Sequence, residues 1–280
     1  MAPAARHQHI VDELIAERAP RLSSSWAWPV ARPVVYKLLN YRQARKVADD
    51  IAHMSGAEAL AYASDMLRIR IETRGLEHLP RRGRVVIIIN HPTGMVDGLA
   101  VHDAVKPIRP DFIFFANADA LRVCPRFGEV FIPVEWVEEK RTREKARQVL
   151  EAAKAALEAE RPLMISPAGR IARYREDGFC IDPPWATSAV SIARKYKAPI
   201  LPMHIDGPPS TLFRLGHRVS QELRDITLFH ELLNKKGGKF TLTAGPLIPH
   251  EAIGEVGAFT ERLKRYIERE LPVEPDKAFA

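Results

Sequence analysis

From residue 67 onward the apolar positions follow two patterns, one typical of strands and the other typical of helices. Five short apolar runs, several of them rich in β-branched residues, have the length and composition of buried strands. A run at 67–75 alternates apolar with charged residues and predicts a half-exposed strand, and a last apolar run is a seventh candidate. The predicted strands are 67–75, 85–90, 112–116, 130–134, 163–166, 200–205 and 240–245.

Stretches with helical spacing of their apolar residues lie between these runs, at 143–159, 185–196 and 259–271. Strands that alternate with helices of this length are typical of α/β proteins with parallel sheets. We therefore predict an α/β domain over 67–271, with a mainly parallel central sheet of about seven strands flanked by helices. An N-terminal helical segment, 1–66, precedes it, and a tail, 272–280, which we expect to be disordered, follows it.

The composition is that of a globular protein, with 46% hydrophobic and 28% charged residues in 280. Only two cysteines occur and no signal-peptide pattern opens the chain, so we expect a reducing, cytoplasmic environment. No apolar run approaches the roughly 18 residues of a membrane-spanning helix. The net charge of +7 favours anionic partners, which include nucleic acid, an anionic membrane surface and an acidic carrier or substrate.

The N-terminal segment is locally basic, because six Lys or Arg residues and no acidic residue lie between positions 21 and 48. Trp26, Trp28, Tyr36 and Tyr41 lie among them, and Pro33 is expected to open a helix. Two interpretations stay open. The helix lies in a lipid headgroup layer with its aromatic residues at the interface, or it packs on its own domain with its cations in solvent. Nucleic acid is not expected as a partner, because no DNA- or RNA-binding signature accompanies the charge.

The familiar nucleotide and metal motifs are incomplete or absent in the sequence. The GGK at 237–239 is followed by Phe rather than by Ser or Thr, and HELLN at 230–234 has Asn where a zincin needs histidine. His102 with Asp103, and His204, lack a recurring ligand spacing, so we expect no metal and no cofactor.

The segment after the most apolar strand carries the candidate chemistry, and it reads NHPTGMVDG over 90–98. Open α/β sheets bind their ligands at the carboxyl ends of such strands. On a continuous helix His91 and Asp97 would face apart, so they meet only if the turn around Pro92 and Gly94 folds back over the helix start. Asp97 would then orient the imidazole, and His91 would take a proton from a substrate hydroxyl without a protein nucleophile. A simple helix cap is the alternative role.

This block resembles the first motif of the glycerolipid acyltransferase superfamily, the lysophosphatidate-acyltransferase-like enzymes, in the longer Asn-His-Pro-x-Gly form of the bacterial hemolysin-like branch. Three later blocks are similar to further motifs of that family, namely GEVFIPV at 128–134, SPAGRIAR at 166–173 and LPM at 201–203. Two family residues differ. Val134 and Glu135 stand where the second motif ends in an acceptor-binding Arg, and Ala168 replaces the Glu of the third. The resemblance covers about residues 67–250.

The resemblance implies transfer of a fatty acyl group from an acyl-CoA or acyl-carrier-protein thioester to the hydroxyl of a lysolipid, without an acyl-enzyme. His91 and Asp97 would be catalytic. The implied substrate-binding residues are Asn90, Thr93, Gly94, Gly169, Arg170 and Arg173, with Arg175 as a further cation. A backbone N–H near Gly169 would stabilise the oxyanion. Because the two family residues are missing, a lyso-ornithine lipid or another lysophospholipid is as good a candidate acceptor as lysophosphatidate.

Two other functions stay open at this stage. The missing Arg and Glu favour a non-catalytic lipid-binding or membrane-surface protein on the same fold, whereas the intact His91 and Asp97 favour an enzyme. An acyl thioesterase would use the same base on water. We expect a peripheral protein on the cytoplasmic face of an anionic membrane, with an acidic acyl carrier protein or acyl-CoA as the donor partner.

Overall fold

A seven-stranded sheet forms the centre of the protein. The structure is a computed structural model that describes residues 8–135, 137, 140–174, 180–209, 211–212 and 220–280. Its strands are β1 (Arg70–Arg74), β2 (Val85–Ile89), β3 (Ile113–Asn117), β4 (Phe131–Val134), β5 (Pro162–Ile165), β6 (Arg173–Tyr174), β7 (Cys180–Ile181), β8 (Ile200–Asp206) and β9 (Lys239–Ala244). The large sheet has the order β1-β9-β8-β2-β5-β3-β4, and β6 pairs with β7 in a separate antiparallel ribbon.

The large sheet is mainly parallel, as the sequence predicted. Its one antiparallel pairing in the described residues joins β8 to β9, and the other neighbouring strands run in the same direction. Strand β2 lies at the middle between β8 and β5, and all five of its residues are fully buried. A strand without polar residues needs cover on both faces, and the helices provide that cover.

The helices are α1 (Ile10–Arg18), α2 (Pro20–Ser23), α3 (Trp28–Leu38), α4 (Tyr41–Ile51), α5 (Gly56–Leu67), α6 (Met95–Val105), α7 (Asp119–Val123), α8 (Arg143–Glu158), α9 (Ser188–Lys195), α10 (Gln221–Ile226), α11 (Leu228–Leu233) and α12 (Val256–Arg265). Alternate residues of β2 contribute to opposite cores. One core packs Val85, Ile87 and Ile89 with apolar residues of α5 and α6, and the other packs Val86 and Ile88 with residues of α8, α9 and α12. A π-helical turn, Tyr266–Glu270, continues α12.

The N-terminal helices form a third apolar cluster with α10 and α11. Val11, Ile15 and Leu39 are buried there against Ile226 and Leu233. Helix α11 also contacts α6, so this layer reaches the helix that carries Asp97. Among the residues that the structure describes, no helix is both long and apolar enough to cross a bilayer.

The outer face of α3 and the turn before it carry four exposed apolar side chains at intervals of four residues, which we call the apolar stripe. The exposed fractions are 92% for Trp26, 79% for Val30, 62% for Val34 and 56% for Leu38. The prediction that Pro33 opens this helix is wrong, because Pro33 lies inside α3 and Pro29 lies at its start. Proline lacks the N–H that would bond to the carbonyl one turn back, and α3 tolerates that loss at its exposed surface.

Most of the aromatic residues near the stripe face inward rather than towards solvent. The Tyr36 and Tyr41 rings stack with their centroids 4.0 Å apart. Their hydroxyls donate to the two carboxylate oxygens of Asp12, at 2.6 and 2.8 Å. The Trp28 ring meets Tyr36 edge-on. Of the four aromatic residues expected at an interface, Trp26 alone is exposed on the outside of the protein.

The C-terminal tail is packed, so the expectation that it is disordered is wrong. The Phe279 ring lies against the rings of Phe259 and Tyr266, with centroids 5.0 and 5.5 Å apart. The Tyr266 hydroxyl donates to the carbonyl oxygen of Lys277 at 2.6 Å. These contacts extend the apolar core that covers one face of the sheet.

Candidate active site

The central strand β2 ends at Asn90, whose side chain joins it to β8. The Asn90 Nδ2 atom donates to the carbonyl oxygen of Ile205 at 3.0 Å, and its Oδ1 atom accepts the N–H of Ile205 at 2.8 Å. This side chain thus extends the strand pairing beyond Ile89 and Met203. Because its amide is buried and engaged with backbone, Asn90 fixes the edge of the site, which differs from the substrate contact that the sequence predicted.

The turn after Asn90 brings His91 and Asp97 together. Gly94 has a φ of 85°, which lets the chain reverse just before α6 begins. As a result, His91 Nδ1 lies 2.9 Å from Asp97 Oδ2, although the contact is not aligned as a straight hydrogen bond. The fold-back that their spacing required is therefore present. The His91 side chain is 23% exposed, whereas the Asp97 carboxylate is fully buried.

The buried carboxylate of Asp97 is held by three donors from its own turn. The backbone N–H groups of Thr93 and Gly94 both donate to Oδ2 at 3.0 Å, and the Thr93 hydroxyl donates to Oδ1. These three donors fix the carboxylate at the N-terminal end of α6. Asp97 therefore caps the helix and faces His91 at once, so the two roles that the sequence left open are compatible. Thr93 and Gly94 lie behind Asp97 and support it.

A second acid lies beside His91, and no motif in the sequence indicates it. Asp182 Oδ1 accepts the backbone N–H of His91 at 3.0 Å, and Asp182 Oδ2 accepts the indole N–H of Trp185 at 2.8 Å. Burial raises the pKa of Asp182 to about 7, although these hydrogen bonds and the nearby His91 act to lower it. Asp182 lies 91 positions from His91 in the chain, directly after the two-residue strand β7. Only a turn-forming Asp-Pro-Pro marks it in the sequence, so no motif could have found it.

The two acids determine the charge preference of His91. Burial lowers the pKa of the imidazole, but its contact with Asp97 and the charges of Asp97 and Asp182 raise it by more. The pKa of His91 therefore lies above its ordinary value. A base of this kind takes up a proton readily and needs a pH above that raised pKa to be free.

The block similar to the family's third motif lies over the His91 turn. The N–H of Ala172 donates to the carbonyl oxygen of His91 at 2.8 Å. At Gly94, a Cβ atom would lie 2.9 Å from Cδ1 of Ile171, so only glycine fits under this loop. The first and third blocks, 81 positions apart at His91 and Ala172, thus form one structure.

The predicted substrate-binding residues of that loop have different positions. Gly169, with a φ of 59°, and Arg170 are exposed on a turn. The N–H of Gly169 donates to the carbonyl oxygen of Ser166 at 3.2 Å, so it is engaged and does not point freely at an oxyanion as predicted. Arg173 belongs to β6, and Arg175 lies outside the described residues.

The block similar to the second motif ends on the edge strand β4, which β5 and β3 separate from β2. Where the family has an acceptor-binding Arg, Glu135 forms an ion pair with Lys145, whose Nζ lies 2.8 Å from Oε2. The carboxylate at this position is therefore paired with a lysine of α8.

The other histidines considered as ligands are engaged in local contacts. His102 Nδ1 lies 3.0 Å from Asp103 Oδ1. His204 Nδ1 lies 2.9 Å from the carbonyl oxygen of Ile267, and burial lowers the pKa of His204. In the part of the chain that the structure describes, no cluster of three or more His, Cys, Asp or Glu residues could hold a metal ion.

The sheet is mainly parallel, and a histidine and an acid lie together at the end of its central strand, an arrangement from which an enzyme can act on a hydroxyl group through a base. The comparison with protein families identifies the class of enzyme, since the family model described as Acyltransferase matches residues 70–206. This match covers just under half of the chain and, with the relatives described next, supports the glycerolipid acyltransferase superfamily. The chain is an acyltransferase.

Known proteins that resemble the chain include two curated relatives and one solved structure. The lyso-glycine lipid O-acyltransferase of Phocaeicola vulgatus is 24% identical over 208 residues, which are 71% of this chain and 72% of the relative. The protein of the same name from Bacteroides thetaiotaomicron is 21% identical over 245 residues, covering 85% and 88%. The crystal structure of the 1-acyl-sn-glycerophosphate acyltransferase PlsC from Thermotoga maritima shares the fold, with a TM-score of 0.50, 15% identity, and 96% and 99% coverage.

Proposed function

We propose that the protein transfers a fatty acyl group from the thioester of acyl-CoA or acyl carrier protein to the hydroxyl of a lysolipid, with His91 as general base and Asp97 as its partner. The observation that carries the proposal is the 2.9 Å contact between a partly exposed imidazole and a fully buried carboxylate at the carboxyl end of β2. The names of the two curated relatives, both lyso-glycine lipid O-acyltransferases, support a lysolipid as acceptor.

The proposed reaction is direct. Asp97 faces Nδ1 of His91, so the ring proton resides there and Nε2 is left to accept a proton. The acceptor hydroxyl gives its proton to Nε2 while its oxygen bonds to the thioester carbon. The tetrahedral intermediate then expels the thiolate, which takes the proton back from the imidazolium. An ester and a free thiol result, and no residue of the protein is acylated.

Arg170 is the expected cation that we propose to contact an anionic headgroup or a donor phosphate. It is exposed on the turn that follows Gly169, in the loop that covers the His91 turn. Arginine suits this role because its planar guanidinium can form two hydrogen bonds to one phosphate or carboxylate. Neither CoA nor an acyl carrier protein is favoured by this feature, since both carry phosphate.

We also propose that the apolar stripe docks the protein on a membrane. Four large apolar side chains, three on α3 and Trp26 in the turn before it, are exposed in one row and form a face that water solvates poorly. The exposed cations Arg32, Lys37 and Arg42 lie on the same part of the chain and suit anionic headgroups. Since the proposed donors are made in the cytoplasm and a lysolipid resides in a bilayer, the cytoplasmic face is where both meet.

Replacing Val30 with Asp is expected to weaken binding to anionic vesicles about tenfold or more, because a buried valine contributes about 1.5 kcal/mol or more and a carboxylate is repelled by the surface. Co-sedimentation with phosphatidylglycerol vesicles measures this binding. Val273→Asp is the matched control, since Val273 is 74% exposed and lies outside the stripe. Equal binding by both variants and wild type would show that the stripe does not dock on lipid.

The acyl transfer itself is tested with a radiolabelled acyl donor, given as CoA and as carrier-protein thioester, on vesicles that carry a panel of lysolipids. The panel contains lyso-glycine lipid, lyso-ornithine lipid and lysophosphatidate. We expect the label in the ester product of at least one acceptor. Free fatty acid formed without acceptor would indicate a thioesterase instead. Vesicle binding without any turnover would indicate a non-catalytic lipid-binding protein.

A further inference from the structure

The backbone of His91 is held from two sides by segments that come much later in the chain. Its N–H donates to Asp182 Oδ1 at 3.0 Å, and its carbonyl oxygen accepts the N–H of Ala172 at 2.8 Å. The peptide units before and after His91 are therefore each fixed by one hydrogen bond. The proposed base is positioned by its own main chain as well as by Asp97.

Asp182 is in turn supported from behind by other elements. Its Oδ2 atom accepts the indole N–H of Trp185, and its own N–H donates to Glu268 Oε1 at 2.8 Å. Glu268 is paired with Lys264, and the side chains of both are largely buried. A chain of polar contacts therefore runs from α12 and the π-helical turn, through Asp182, to His91. Burial of so many polar groups costs desolvation free energy, and a turn with a purely structural role would not require these groups.

We propose that Asp182 is a second positioning residue of the base, so that His91 works between two carboxylates, Asp97 at its ring and Asp182 at its backbone. The inference rests on the proposed function, in which His91 is the base. Asp182 fixes the direction in which the imidazole leaves the turn. In its ionised form, above its pKa of about 7, it also stabilises the imidazolium that forms when the acceptor hydroxyl gives up its proton.

The charged groups around this pair determine the expected pH dependence. In the described residues, Asp97 and Asp182 both act on His91 with negative charge, and Glu268 acts on Asp182 while it is paired with Lys264. Removal of the Asp182 charge should lower the pKa of His91. The free base would then persist to lower pH, so the acid limb of kcat/KM should move down in pH.

The experiment compares wild type with Asp182→Asn, which keeps an oxygen for the His91 N–H but removes the charge. The NMR titration of the His91 ring, assigned by its loss in His91→Gln, gives the midpoint without any need for turnover. We expect this midpoint to fall by about one pH unit, and the acid limb of kcat/KM to fall with it. Trp185→Phe is the graded comparison, since loss of the indole hydrogen bond raises the pKa of Asp182 without removing the acid, and its midpoint should fall by less than that of Asp182→Asn.

If the amide N–H group of Asp182→Asn faces the indole N–H of Trp185 and the variant does not fold, a second pair of variants is compared. Trp185→Phe lacks the indole N–H, so this variant and the double variant Trp185→Phe/Asp182→Asn differ only in whether residue 182 can ionise. An unchanged His91 midpoint in the folded variants would overturn the proposal for Asp182. If the midpoint of the His91 titration shifts but wild type transfers no acyl group, the electrostatic coupling of Asp182 to His91 stands and the proposed function is overturned.

Discussion

The His91→Ala variant is expected to lose about 10²–10⁴-fold in kcat for acyl transfer, which is the usual contribution of a positioned general base. Without the imidazole, the acceptor hydroxyl would have to attack the thioester while it still carries its proton. The fold should survive, because Asp97 keeps all three of its donors from Thr93 and Gly94. The rate is measured with the labelled donor on vesicles that contain the preferred acceptor, and vesicle binding is measured in the same samples.

His250→Ala is the matched control for this loss. His250 is partly exposed and follows Ile248, which pairs with Ile200 at the opposite end of β8 from the site. It should retain full activity, so that a general effect of removing a histidine is excluded. Turnover of His91→Ala within a few-fold of wild type would contradict the assignment of His91 as the base.

The Asp97→Asn variant is the second large loss that we expect, again of about 10²–10⁴-fold in kcat, by analogy with other histidine–acid pairs. The amide has the shape of the carboxylate but no charge, so it stabilises the imidazolium poorly and allows the wrong ring tautomer. It also removes a negative charge from the neighbourhood of His91, so the acid limb of the pH profile should move to lower pH. Profiles of kcat/KM from pH 5 to 9 record both effects.

Loss of the helix cap is a competing explanation for any defect in Asp97→Asn. The variant Glu58→Gln separates loss of a cap from loss of the partner of His91. Glu58 stands three residues after Ser55 and accepts its N–H at 2.8 Å, just as Asp97 stands three after Gly94 and accepts its N–H. Both changes remove the charge of a carboxylate that caps the start of a helix. We expect similar small losses of stability in thermal unfolding, but a loss of activity in Asp97→Asn alone. Equal activity losses would mean that Asp97 acts only as a cap.

The fold could be predicted from the sequence because its strands are short and almost wholly apolar. A run such as 85–89 without polar residues requires cover on both faces, and this requirement indicates a parallel sheet between helix layers. The strand order could not be predicted, since β9 joins the sheet antiparallel beside β8 through contacts distant in sequence. The place of Pro33 was missed because the start of α3 depends on Pro29 and on the residues that the helix packs against.

The site could be predicted only where its parts are close together in the chain. The spacing of His91 and Asp97, with Gly94 between them, imposes the turn that joins them, and the structure has this turn. Asp182 acts on the same histidine from 91 positions away, and nothing near it in the sequence indicates a buried acid. The bond of Asn90 to Ile205 also could not be predicted, because it depends on the position of β8 beside β2.

The apolar stripe on α3 has a consequence for how the rate of the proposed enzyme depends on its substrate. A protein that is held at a lipid surface by Trp26 and Val30 meets its acceptor by diffusion in two dimensions. The quantity that governs its rate is then the mole fraction of lysolipid in the leaflet, and the bulk molarity of lysolipid loses its meaning. Every other lipid in the leaflet acts as a diluent, so the composition of the membrane itself sets the speed of acylation.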